Sequence, residues 1–153
     1  MKLKMIAMAL FSLLAWDVQA LEIDHCPLPQ NIKNIKGIYT APTVSHKGRW
    51  VGTTSLQSAT DSFPVDAVMS FQGAVFHTTE QNGVTKGVLS RCMYSNRSGE
   101  SLDLHYRPEA RPDLAVRLLD VSNWKLQPES STGLKTYICK SKTQGGCVFA
   151  VIE

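Results

Sequence analysis

Four cysteines, Cys26, Cys92, Cys139 and Cys147, constrain this chain more than any other feature, because the segment ahead of them directs it to an oxidising compartment. Lys2 and Lys4 form a positive n-region, Met5 to Trp16 an apolar run broken only by Ser12, and Val18-Gln19-Ala20 a signal-peptidase site. The pattern predicts cleavage after Ala20. A membrane anchor would need about 20 apolar residues, and Asp17 and Gln19 end this run early. Leu21 stands at +1, where a lipoprotein would carry cysteine. No later segment is apolar enough to cross a bilayer, so no span is expected after cleavage. Export to the periplasm or the medium follows, with residues 21–153 as a single domain.

An even number of cysteines in such a compartment implies disulfides, in one of three connectivities. Zinc would need two close pairs, and Cys139 and Cys147 alone are near each other, at the wrong spacing; no metal or other cofactor is expected. Residues 136–139 and 147–152 read as a hairpin around 140–146. If Cys139 faces Cys147 across that ladder, a three-residue turn remains, a common hairpin length. This register favours Cys139–Cys147, and Cys26–Cys92 follows by elimination.

Turn signals punctuate the rest. Residues 21–49 carry Pro27, Pro29, Gly37, Pro42 and Gly48. Ile35, Gly37 and Tyr39 are expected on one side of a short extended piece, with Ile38 on the other. Trp50-Val51-Gly52 reads as a strand, 55–63 as a polar loop, and 65–71 as either a strand or a short helix. Ala74 to Thr79 is a strand, Gln81-Asn82-Gly83 a hairpin turn, and Val84 to Tyr94 the return strand, bulged at Gly87. After a turn at 96–99, Leu102, Leu104 and Tyr106 alternate with Asp103, His105 and Arg107 as in a half-buried strand. Ala115 to Val121 resumes as a strand. Successive hairpins predict a mainly β fold, an antiparallel β-sandwich or small barrel; an α+β domain with a helix near 63–72 is the alternative.

Several of these residues make up a longer pattern: Cys26-Pro27, Ile35, Gly37, Tyr39, Trp50-x-Gly52, Leu89-x-x-Cys92-x-Tyr94, Leu102-x-Leu104-x-Tyr106, Trp124, Tyr137-x-Cys139 and Cys147-x-Phe149. It resembles a family of small exported bacterial proteins of unknown function. The resemblance implies export from a Gram-negative cell and a β-rich domain, and it brings no activity.

Removing residues 1–20 leaves fourteen basic and twelve acidic side chains, a net charge of +2. They are dispersed, without the basic stripe of a nucleic-acid binder or the tight cluster of an acidic-membrane binder. His25, His46, His77 and His105 are far apart in sequence, and no Gly-x-Ser-x-Gly occurs. Glu100, Asp103 and Glu109 could serve as a carboxylate pair only at a separation the sequence does not fix. Most of Trp50, Trp124, Tyr39, Tyr94, Tyr106 and Tyr137 should be core, with Trp124 the candidate for exposure because Ser122, Asn123 and Lys125 surround it.

The expectation is therefore a non-enzymatic binding protein with an unknown protein or glycan partner. The loop from Arg107 to Asp113 is the expected contact, through Arg107 and Arg111 with Trp124 nearby. A small secreted hydrolase or glycan-active protein is the alternative, and a structural subunit of an envelope assembly a third reading. A deep pocket with converging histidines and carboxylates would favour the enzyme.

Overall fold

The computed structural model describes residues 21–53, 70–80, 84–95, 99–110, 114–129, 131–143 and 145–152. Residues 1–20, the loop expected at 55–63, the turns expected at 81–83 and 96–98, and Arg111 to Asp113 lie outside them.

Three long strands organise the chain: β5 (Ser70–Thr78), β6 (Val88–Ser95) and β7 (Ser101–Tyr106). Alternation sends Ala74, Phe76, Cys92, Tyr94, Leu102 and Leu104 inward, all essentially without solvent contact. They pair antiparallel, with Ala74 opposite Cys92 and Cys92 opposite Leu104. Two irregularities interrupt β5–β6, one at Gln72 and one at Ser90, where one strand carries an extra residue. The bulge expected at Gly87 is instead a crossing point. Gly87 leaves the β6 ladder and exchanges both backbone hydrogen bonds with Val116, each at 2.9 Å.

The sheet widens on both sides of this centre. β2 (Lys33–Ile35), β3 (Ile38–Pro42) and β4 (Arg49–Gly52) extend it beyond β7, and β9 (Trp124–Leu126) and β10 (Lys135–Cys139) beyond β5. The order is β2-β3-β4-β7-β6-β5-β10-β9. Trp50-x-Gly52 has a packing reason. Trp50 is fully buried, and a Cβ on Gly52 would collide with the backbone carbonyl of Asp103 on β7. A second sheet holds β1 (Glu22–His25), β11 (Val148–Val151) and β8 (Val116–Leu118), in the order β1-β11-β8. Every strand pair in both sheets is antiparallel.

The small sheet packs on the large one. Phe149 of β11 meets Tyr106 and Trp50 edge-on, with ring centroids 5.0 and 6.3 Å apart. Both disulfides join the two layers. Cys26, just past β1, bonds Cys92 of β6, and Cys139 at the end of β10 bonds Cys147 ahead of β11. The pairing matches the expectation, but its supposed basis does not. β10 lies between β5 and β9, and β11 between β1 and β8, so the cysteines do not face each other across a hairpin. The chain passes from one sheet to the other between Cys139 and Cys147, and the bridge closes that crossing.

A second expectation changes at 35–39. Lys36 and Gly37 both have positive φ, 53° and 83°, so the chain reverses there and pairs Ile35 with Ile38. Alternation across the turn was apparent rather than real. Of 65–71, only Ser70 and Phe71 are described, and both begin β5.

Candidate functional site

The disulfides and strand ends shape a pocket of about 290 Å³ at one end of the sandwich. One wall is the segment His25 to Pro29 leaving β1. The second is the start of β5, Ser70 and Phe71. The third is formed by Ser141 to Thr143 and Gly145 to Cys147 of the crossing segment. Cys26 and Cys147 line it, one half-cystine from each bridge.

Each wall is held by contacts to the core. The Tyr94 hydroxyl donates to the Pro27 carbonyl at 2.6 Å, and burial pushes its pKa well above the ordinary phenol value. The Phe71 ring meets Tyr94 edge-on, with centroids 5.5 Å apart. On the crossing segment, the Asn123 amide donates to Gly146 O at 2.8 Å, and Gly146 N donates to Thr143 O at 2.8 Å. His25 Nδ1 lies 2.8 Å from the Cys26 carbonyl, which can only accept, so Nδ1 donates. Pro27, Leu28, Pro29 and Phe71 give the pocket an apolar body. Ser70, Ser141 and Thr143 add hydroxyls, and Lys142 adds a positive charge.

A second groove, about 390 Å³, lies beside the turn after β7 and brings together His77, His105, Tyr106, Arg107 and Pro108. The histidines are 28 positions apart in sequence, but β5, β6 and β7 are consecutive neighbours. His105 Nδ1 donates to Ser90 O at 3.0 Å, and His77 Nδ1 lies 3.0 Å from the Thr136 hydroxyl. Burial, helped by the nearby Arg91 charge, pushes the His77 pKa down and favours its neutral form. Both histidines follow inward residues, Phe76 and Leu104, on the two strands that flank β6. Among the described residues lining either cavity there is no carboxylate. Asp103 pairs with Arg91 at 3.3 Å, and Glu109 with Arg49 at 3.9 Å.

Two of the expected contact residues are placed otherwise than their roles require. Trp124 is 4% exposed; its indole packs edge-on against Phe76, centroids 6.4 Å apart, on the inner side of edge strand β9. Its polar neighbours Ser122 and Asn123 form a 3-10 turn that lets the ring swing under the sheet. It cannot anchor a surface patch. Arg107 is engaged within the protein, by Glu22 and Ser45. Arg111 lies outside the described residues.

A family model described as "Protein of unknown function (DUF3757)" matches residues 19–150. The chain belongs to the DUF3757 family. No curated protein and no solved structure matches it. The matched span contains both bridges and all three walls of the disulfide-end pocket.

The DUF3757 protein also buries a polar knot that fastens β1. Asp24 has no solvent contact and accepts from the backbone of His25 at 2.8 Å, from that of Val44 at 3.3 Å and from the Tyr106 hydroxyl at 3.1 Å. Desolvation outweighs these bonds and raises its pKa. Glu22 pairs with Arg107, accepts from the Ser45 hydroxyl at 2.8 Å and lies 3.6 Å from Lys47. Arg107 also donates to Ser45 Oγ at 2.9 Å and covers the Tyr106 ring at 5.2 Å. Its left-handed φ of 42° turns the guanidinium inward. Arg107 is thus a structural clamp on β1.

Proposed function

We propose that this DUF3757 protein is exported, loses residues 1–20, and acts in the periplasm or the medium as a non-enzymatic binding protein through the disulfide-end pocket. The observation that carries this reading is the pocket's wall construction: one half-cystine of each bridge lines it, and the buried Tyr94 hydroxyl holds Pro27. A cavity fixed in this way loses little conformational freedom when occupied, which favours affinity. Its volume is near the lower end of ligand pockets, which run from roughly 300 to 1,000 Å³. That size suits one apolar side chain of a protein partner or a small ligand rather than a large cofactor. Lys142 and the hydroxyls suit an acceptor-rich or anionic group beside the apolar part.

Two measurements test the reading. Intact mass of the exported protein should correspond to a chain beginning at Leu21; a mass retaining residues 1–20 would refute the cleavage step. In amide NMR, peptides and small molecules drawn from envelope and culture fractions should perturb residues 25–29, 70–71 and 141–147 together. Perturbations centred on His77 and His105 would move the site to the outer groove and overturn the assignment.

A further inference from the structure

The β2–β3 hairpin carries a feature separate from the pocket. Residues 33–38 are all exposed. Ile35 and Ile38 sit directly opposite each other with 57% and 49% of their surface in solvent. Tyr39, next to Ile38, points into the core, so the isoleucines and Lys33 face outward by alternation. Lys36 and Gly37 form the two-residue turn with positive φ at both positions, and the Asn34 side chain accepts from Gly37 N at 2.9 Å. The tip is therefore a defined structure presenting two β-branched side chains between two lysines. Residues 33–42 include no acid. Sequence spacing hid this grouping, because the lysines do not form a run.

Scattered exposed isoleucines need no explanation; a cross-strand pair at a projecting tip, flanked by cations, has the composition of an interfacial anchor. Among the described residues β2 is the outermost strand of its sheet, with no further strand paired to its outer edge. A second copy pairing there would bring Lys33 and Lys36 of both chains together, and edge lysines oppose such pairing. Charge complementarity instead selects an anionic surface with an apolar layer beneath it. We infer that the hairpin tip docks this protein peripherally on bilayers containing anionic phospholipid, with Ile35 and Ile38 entering the headgroup region and Lys33 and Lys36 meeting phosphate.

The test is flotation of the exported protein with phosphatidylcholine vesicles, with and without phosphatidylglycerol. Each lysine near an anionic surface contributes about fivefold, so the anionic vesicles should bind about 30-fold more tightly at low salt. High salt should erase most of that difference. Ile35→Ser with Ile38→Ser should lower binding about tenfold or more, and Lys33→Glu with Lys36→Glu should abolish the lipid preference. All four side chains are exposed, so both variants should keep the wild-type melting temperature, which separates lost docking from lost folding. Equal binding to both vesicle types, no binding to either, or full binding by the serine variant would each overturn the inference. Capture of a protein through this hairpin without vesicle binding would do so as well.

Discussion

Replacing both cysteines of one bridge by alanine removes a cross-link without leaving a free thiol, and the two bridges differ mainly in the loop they close. Cys26 and Cys92 are 66 residues apart, and Cys139 and Cys147 are 8 apart. Loop-closure entropy then assigns about 4.4 kcal/mol to the first bridge and about 2.5 kcal/mol to the second. All four half-cystines are buried, so the packing losses are similar and largely cancel in the comparison. For roughly 130 residues, unfolding entropy near the midpoint makes 1 kcal/mol worth about 4 °C. The Cys26→Ala/Cys92→Ala variant should therefore melt about 7 °C below the Cys139→Ala/Cys147→Ala variant. Thermal unfolding of both, followed by near-ultraviolet circular dichroism without reductant, measures the gap. Equal melting temperatures, or a lower one for the short-loop variant, would show that the long bridge does not limit the unfolded chain as argued.

Four further outcomes follow from the polar knot, an exposed ion pair and the aromatic core. Arg107→Ala leaves Glu22 without its main cation in a mostly buried setting and should cost about 3 kcal/mol in urea unfolding. Glu109→Ala, from the exposed pair with Arg49, should cost less than about 0.5 kcal/mol. Asp24 is protonated more readily in the folded protein than in the unfolded chain, so its contribution is fullest below pH 3.8 and is lost as pH rises through its raised pKa. Relative to Asp24→Asn, the wild type should thus lose stability between acidic and neutral pH; a relative gain would mean that hydrogen bonding outweighs desolvation. Trp124→Ala should destabilise by about 3–5 kcal/mol, as a core truncation does, and a near-neutral result would return Trp124 to the surface.

Local strand character was readable because period-two alternation is a local property. Leu102 and Leu104 are buried, Asp103 and His105 face outward, and Trp50-Val51-Gly52 is a strand. Alternation identifies a strand's faces but not its neighbours. Adjacent apolar runs at 136–139 and 147–152 therefore suggested a hairpin, whereas β1 and β8 claim β11, and β5 and β9 claim β10. The bridge assignment survived because covalent reach does not require shared ladder register. Arg107 misled for a similar reason. In sequence it begins a proline-rich loop, while its partner Glu22 lies 85 positions earlier. The pocket was illegible as a unit, since its three walls meet only when both sheets have closed over the core. Its cysteines and the Tyr94 that holds its wall were nonetheless in view as pattern residues.

The binding account is tested most directly by comparing what the disulfide-bonded protein and its pocket variants capture from envelope and culture fractions, quantified by mass spectrometry. Leu28→Asp puts a charge into the apolar body, Lys142→Glu reverses the rim charge, and Thr85→Ala, away from the pocket, serves as the control. The account predicts a species enriched by the wild type and the control that Leu28→Asp loses and Lys142→Glu binds more weakly, with all four proteins folded by circular dichroism. A captured set that is the same for the wild type and the folded Leu28→Asp variant would contradict it.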